Sequence, residues 1–302
     1  MMAFKECITQ RDNKTQWQIG DIKITRIVEL VVWGNNAFVL PDAENELCKA
    51  FNWMNPHFMN DDGDLIFSVH ALVVDTGERR IIVDTCIGND KQLAVPEWDK
   101  MQTTFLDDLD DAGYARDTID TVLCTHLHVD HVGWNTMLVN DEWVPTFTGA
   151  RYLFARTEWE HWNANEEEID IGPVLQQSLR PVIDADLVDL VDCDHQVCEG
   201  VKLVPTPGHT PGHVSIHVSS RGKEALITGD FVHHPVQLSR PHWCSSADSD
   251  SEKGLQTRNE LFAQYVDSDV LIIGTHFSGP TAGYIRRLSG EDNYWLDTGS
   301  SA

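Results

Sequence analysis

Basic residues are scarce in this chain: 22 lysines and arginines stand against 48 aspartates and glutamates, a formal charge of −26. A field of that sign repels phosphate backbones and anionic headgroups, so nucleic acid and membrane surfaces are excluded as partners. Long apolar runs are also absent. Nothing approaches the roughly 20 residues that span a bilayer. The opening Met1-Met2-Ala3-Phe4-Lys5-Glu6-Cys7 leads into polar residues rather than an apolar signal core, and the expectation is a cytoplasmic protein. No Cys-x-x-Cys pair occurs among the seven cysteines, which points to reduced thiols, with a Cys193–Cys198 pairing as the alternative.

What is present is a dense stretch, Thr125-His126-Leu127-His128-Val129-Asp130-His131-Val132-Gly133, on the heels of the apolar Val122-Leu123-Cys124. Three imidazoles and a carboxylate on a loop after a strand converge on a small volume, and both groups are ligands for divalent ions. Four ligands in two adjacent pairs exceed what one open tetrahedral ion uses, so the spacing suggests two neighbouring ions. A His-rich surface loop is the bland alternative.

The rest of the chain supplies more of the same chemistry at strand ends. Arg80–Val83 runs into Asp84, and Ala225–Thr228 into Gly229-Asp230. Ile119–Cys124 leads to Thr125-His126, and Val270–Ile273 to Gly274-Thr275-His276. This echo predicts two similar β-rich halves with helices outside, an α+β architecture in one domain over residues 1–302. The collected set is His126, His128, Asp130, His131, His209, Asp230 and His276. Residues 1–16 are expected to be a loose arm and 166–171 an acidic loop. The aromatic segment 33–63 is read as either a packed flap or a substrate lid. Helices are predicted over 102–113, from Thr157 (as N-cap, with Glu160 completing a capping box), over 174–182 and over 254–267.

The ordered motifs T-H-x-H-x-D-H-x-G, P-G-H-T-P-G-H, G-D and G-T-H resemble those of the metallo-β-lactamase fold superfamily of metallohydrolases, between about residues 64 and 288. The resemblance implies an αββα sandwich. It also implies two divalent ions, zinc first with manganese, cobalt or iron as alternatives. One would rest on His126, His128 and His209, the other on Asp130, His131 and His276, with Asp230 bridging. Of the two histidines in Pro207-Gly208-His209-Thr210-Pro211-Gly212-His213, the resemblance selects His209 as ligand and leaves His213 in support; Asp84 matches a strand-end aspartate that orients a ligand.

Two ions so placed share a hydroxide that attacks an electrophilic carbonyl or phosphorus, with Asp130 and Asp230 offsetting the cations. The implied function is a dinuclear hydrolase of small esters, lactones or organophosphate-like molecules. His128 stands where flavodiiron-type members carry Glu, and Asp230 is missing from true metallo-β-lactamases. Quorum-sensing-type lactonases often carry Tyr three residues after the bridging Asp, where this chain has His233. The segment 229–237, with Asp248, Asp250 and Arg258 downstream, looks more like methyl-parathion-hydrolase-like members. There His233 or His234 is the expected proton donor, with exposed or helix-capping histidines as the bland alternative. A mononuclear-iron oxidoreductase of persulfide dioxygenase type and a non-catalytic binding protein remain as rivals. A small-molecule substrate is the expected partner, and a homodimer is left open.

Overall fold

The computed structural model describes residues 4–8, 15–165, 173–288 and 293–299. The chain divides into two compact units, residues 1–3, 8–30 and 69–193, and residues 4–7, 31–68 and 194–302. The expected acidic loop over 166–171 and most of the N-terminal arm lie outside the described residues. Within that arm, however, Glu6–Ile8 forms strand β1. Lys5 Nζ reaches Asp64 Oδ1 at 2.7 Å, which ties the start of the strand to the loop before residue 65.

Eight strands make one sheet: β1, β2 (Gln16–Ile19), β3 (Ile22–Trp33), β4 (Ile66–Asp75), β5 (Arg80–Val83), β6 (Thr121–Leu123), β9 (Arg151–Ala155) and β10 (Val188–Val191). A separate hairpin is formed by β7 (Thr136–Val139) and β8 (Glu142–Pro145). β2 and β3 form a hairpin, turned at Gly20 with φ +58°. β4 and β5 pair antiparallel, whereas β5, β6, β9 and β10 run parallel. Parallel neighbours require crossovers. These carry α2 (Phe105–Asp111), α3 (Val129–Val132), α4 (Arg156–Ala164) and α5 (Arg180–Asp184). Such strands are covered on both faces, and β5 and β6 accordingly read as apolar runs rather than alternations.

The second unit holds a seven-stranded sheet in sequence order. It comprises β11 (Gln196–Cys198), β12 (Val201–Pro205), β13 (Val214–Ser220), β14 (Lys223–Ile227), β15 (Val270–Ile273), β16 (Ala282–Arg287) and β17 (Tyr294–Asp297). α6 (Val236–Ser239) and α7 (Ser251–Tyr265) lie in the β14–β15 crossover. In the segment 33–63, which includes α1 (Asn45–Cys48), Leu40, Cys48, Met54, Phe58 and Met59 are buried, so the flap is a packed one. Asn36 organises it, donating to Ala43 O and Gly63 O and accepting from the Leu65 amide.

Two local expectations are corrected. α4 begins at Arg156 after Ala155, and no side chain caps it. Thr157 is therefore inside the first turn rather than its cap, and it forms no capping box with Glu160. The run 174–182 is not one α-helix: a π-helical turn at Leu175–Leu179 precedes α5, which carries Pro181 in its first turn.

The echo of strand ends has a structural counterpart. In one sheet β4–β5–β6 pair antiparallel then parallel; in the other β13–β14–β15 do the same. The Asp84 amide donates to Leu123 O at 2.9 Å, and the Thr228 amide donates to Ile273 O at 3.0 Å. By register, then, His126 answers to His276, and Asp84 answers to Thr228 rather than to Asp230. Gly229 adopts φ +58°, and Asp230 lies two residues past Thr228, three beyond the end of β14.

Candidate metal centre

In the first unit the His-rich motif leaves the end of β6 and enters α3, with His128 as the extended residue before the first turn. His126 and His131 are fully buried. Ring centroids lie 4.6 Å apart for His126 and His128 and 4.1 Å apart for His126 and His131. Asp84 underpins the motif. Its Oδ1 accepts the Thr125 amide at 2.8 Å, and its Oδ2 lies 2.9 Å from His131 Nδ1. A carboxylate there keeps the proton on Nδ1, so His131 Nε2 carries a lone pair. That nitrogen is 3.6 Å from Asp130 Oδ1.

Two buried glutamates brace the same loop, and sequence reasoning missed both. Glu158 Oε1 accepts the Leu127 amide at 3.1 Å and Trp162 Nε1 at 2.7 Å. Glu29 accepts the amides of Ile87 and Gly88, Trp134 Nε1 at 2.7 Å and Thr103 Oγ1. Burial pushes the Glu29 carboxyl above its ordinary range, against those four donors. Glu29 is the lone acid of an apolar strand, and that oddity was the available signal. Gly133 is required sterically, because a Cβ there would fall 1.8 Å from Ile87 O.

In the second unit His209 follows β12, Asp230 and His233 follow β14, and His276 follows β15. Asp248 Oδ1 lies 2.9 Å from His209 Nδ1, and Ser68 O lies 3.0 Å from His276 Nδ1. Both imidazoles are thereby assigned Nδ1–H with a lone pair on Nε2. Burial lowers the His209 pKa to about 4, with the Asp248 hydrogen bond working against the shift. Those two Nε2 atoms face one carboxylate oxygen: Asp230 Oδ2 is 3.7 Å from His209 and 3.1 Å from His276. His233 Nε2 stands 3.3 Å from the same oxygen. Lone pairs aimed at a carboxylate repel unless a cation shares the space. The donor set of each unit therefore fits a divalent ion, with imidazole nitrogen, carboxylate oxygen and an outer partner fixing each tautomer.

His213 supports this arrangement from behind. Its Nε2 accepts the Asp230 amide at 2.7 Å, so Nδ1 bears the proton and donates to Thr206 Oγ1, also at 2.7 Å. Thr206 passes the chain to Ser215, which donates to Thr228 O.

The two candidate proton donors separate. His234 is fully buried, with Nε2 2.8 Å from Phe58 O and Nδ1 accepting the Val236 amide. Burial lowers its pKa to about 3. Its one proton is held by a carbonyl, so the donor expectation for His234 is corrected to a structural role. His233 keeps its Nε2 beside Asp230.

Comparison with known proteins agrees with this chemistry. The family model described as the metallo-beta-lactamase superfamily matches residues 66–287. An N-acyl homoserine lactonase of Bacillus thuringiensis is 30% identical over 115 residues, 38% of this chain and 39% of that protein. The match thus spans about two-fifths of the length of these curated relatives. Among solved structures, the hydrolase AbOPH of the beta lactamase superfamily has a TM-score of 0.78 at 24% identity, covering 95% of this chain and 98% of that one. AidC, a dizinc quorum-quenching lactonase, has a TM-score of 0.76 at 20% identity, covering 94% and 97%. At these identities the structural likeness shows a shared fold. With the family model spanning most of its length, the chain belongs to the metallo-β-lactamase superfamily.

Proposed function

We propose that this protein is a dinuclear metal-dependent hydrolase of small esters, lactones or organophosphate-like substrates. His126, His128 and His209 would hold one divalent ion, zinc first, and Asp130, His131 and His276 the other, with Asp230 available to both. The observation that carries the reading is the convergence of the lone-pair nitrogens of His209 and His276 on Asp230 Oδ2. The dizinc character of AidC, with the same fold, supports zinc.

Ions held there would activate water and polarise the substrate oxygen under attack. The protein's own contribution is to hold the donors still. Asp84, Asp248 and Ser68 O each keep a proton on Nδ1 of one histidine, leaving Nε2 as ligand. Asp130 and Asp230 supply negative charge against the cations. His233 gives the leaving oxygen its proton, and its Nδ1 has no hydrogen-bond partner among the described residues that would hold it otherwise. A chain of charge −26 favours neutral substrates over polyanions.

The test is metal stoichiometry measured together with a panel of lactones, esters, phosphotriesters and β-lactams on zinc- and manganese-loaded protein. Two ions per chain and turnover of a lactone or ester are expected. Asp230→Ala should lose both ions, and His276→Ala chiefly one. A single iron per chain with O₂ consumption would replace this reading by the oxidoreductase one.

A further inference from the structure

Arg258 in α7 is completely buried. A guanidinium does not shed its proton, so its donors need partners inside the protein. Nε donates to Pro241 O at 2.9 Å, Nη1 to Phe231 O at 3.2 Å, and Nη2 to Cys244 Sγ at 3.0 Å. Nη1 also lies 3.6 Å from Asp248 Oδ2. Asp248 is buried as well; Oδ2 accepts the Ser245 amide at 3.1 Å, while Oδ1 faces His209 Nδ1 at 2.9 Å.

A continuous path therefore runs through the second unit, from the carbonyl of the residue after Asp230, through Arg258 and Asp248, to His209. One end is the candidate ligand His209, and the other is the residue that follows the candidate ligand Asp230. The loop bearing His209 is also fastened to the start of α7: Ser249 N donates to His209 O at 2.8 Å, Asp250 N to Gly208 O at 2.9 Å, and Thr257 Oγ1 to Pro207 O at 2.6 Å. The approach is close enough that a Cβ on Gly208 would lie 2.3 Å from Gly254 N.

A buried ion pair is a poor stabiliser in itself, since well-packed apolar residues often do as well. We propose that Asp248 and Arg258 are positioning residues of the metal site: the carboxylate holds His209 with Nε2 presented as ligand, and the guanidinium sets the spacing between His209 and Asp230. The proposal rests on the metal-dependent reading above.

Asp248→Asn discriminates. Ser245 N and Arg258 claim an oxygen at the Oδ2 position, so the new amide group turns its NH₂ toward His209 Nδ1. That imposes the opposite tautomer, with a proton on Nε2 where the metal should bind. Metal affinity is read by chelator competition on the folded protein, and the tautomer by ¹H–¹⁵N correlation of the imidazole nitrogens in metal-free protein. Asp248→Asn should weaken one of two binding steps by about 10- to 100-fold, leave the other unchanged, and move the His209 proton to Nε2. Arg258→Met should weaken the same step, and Arg258→Lys should recover part of the loss. If Arg258→Met does not fold, Asp248→Asn decides alone. If His209→Ala weakens a step while Asp248→Asn binds both ions as wild type and retains Nδ1–H, the positioning role is overturned and the metal reading stands. Wild-type metal binding by His209→Ala would overturn both.

Discussion

At the scale of single residues, three candidate ligands are prepared by buried acceptors that hold the far nitrogen of the ring. Asp84, Asp248 and Ser68 O do this for three histidines, and two glutamates hold the loop that carries the motif. Glu29→Ala would leave the Trp134 indole and the Ile87 and Gly88 amides without their acceptor. A loss of about 3 kcal/mol or more in denaturant unfolding is expected, at about 1–3 kcal/mol per orphaned buried donor. His233→Ala should lower kcat by about 10²- to 10⁴-fold with metal content retained. His234→Ala should instead lower the unfolding midpoint. Equal kcat in the His233 variant and the wild type would remove the proton-donor role. The metal-ligand types were legible because their chemistry is rare at that density. Glu29 and Glu158 were not, because an acid in a strand or helix looks solvent-facing until its donors are known.

At the scale of elements, two close approaches decide whether the motif loop keeps its shape. Gly133 packs directly on Ile87 and Gly88, and a Cβ at this position would meet Ile87 O at 1.8 Å. Gly133→Ala should cost at least about 3 kcal/mol and lower metal content in the protein that folds. Nearby, Lys91 ties the π-helical turn to β7. Its Nζ donates to Thr136 Oγ1 at 2.7 Å and to Gln177 O at 3.1 Å, and lies 3.8 Å from the Trp143 ring centroid. Burial lowers the Lys91 pKa to about 6.

Lys91 is thus neutral when folded above that pH, whereas the unfolded chain keeps the proton to about pH 10.4. The unfolded state binds the extra proton across this window, so stability rises with pH by at most about 1.4 kcal/mol per unit. Lys91→Met should remove that slope, as read from urea midpoints at neutral and alkaline pH. A pH-independent difference between the two proteins would contradict the depressed pKa. The strands of both sheets were legible as apolar runs with turn residues between them. The hairpin β7–β8 and the π turn were not, because Met137, Leu138 and Val139 lack a clear period and a widened turn has no composition of its own.

At the scale of the whole molecule, the charge of −26 sets a uniform condition. Self-repulsion opposes compaction, and salt screens it over a Debye length of about 10 Å at 0.1 M and about 3 Å at 1 M. The melting temperature should therefore rise as sodium chloride is raised toward about 1 M; a flat or falling profile would show that acidic excess is not a main destabiliser. No helix among the described residues is long and apolar enough to cross a membrane. The single family model reaches into both compact units, and the repeated antiparallel-then-parallel strand pattern appears in each. The match in motif order extends to the fold, and the split into halves was already visible as paired strand endings.

The sequence by itself determined the chemistry on offer: which side chains are candidate ligands, in what order, and that they follow strands. That information is local, because a ligand must be a His or Asp and a strand before it must be apolar. Only the tertiary structure decided which of like residues does what. It distinguished His233 from His234 by whether a backbone carbonyl holds the proton, and set Asp230 apart from the register partner of Asp84 by the left-handed turn at Gly229. It also turned Asp248 and Arg258 from downstream charges into a buried path to His209. Such roles depend on what lies within about 3–4 Å across tens of residues of chain, and no local pattern encodes that distance.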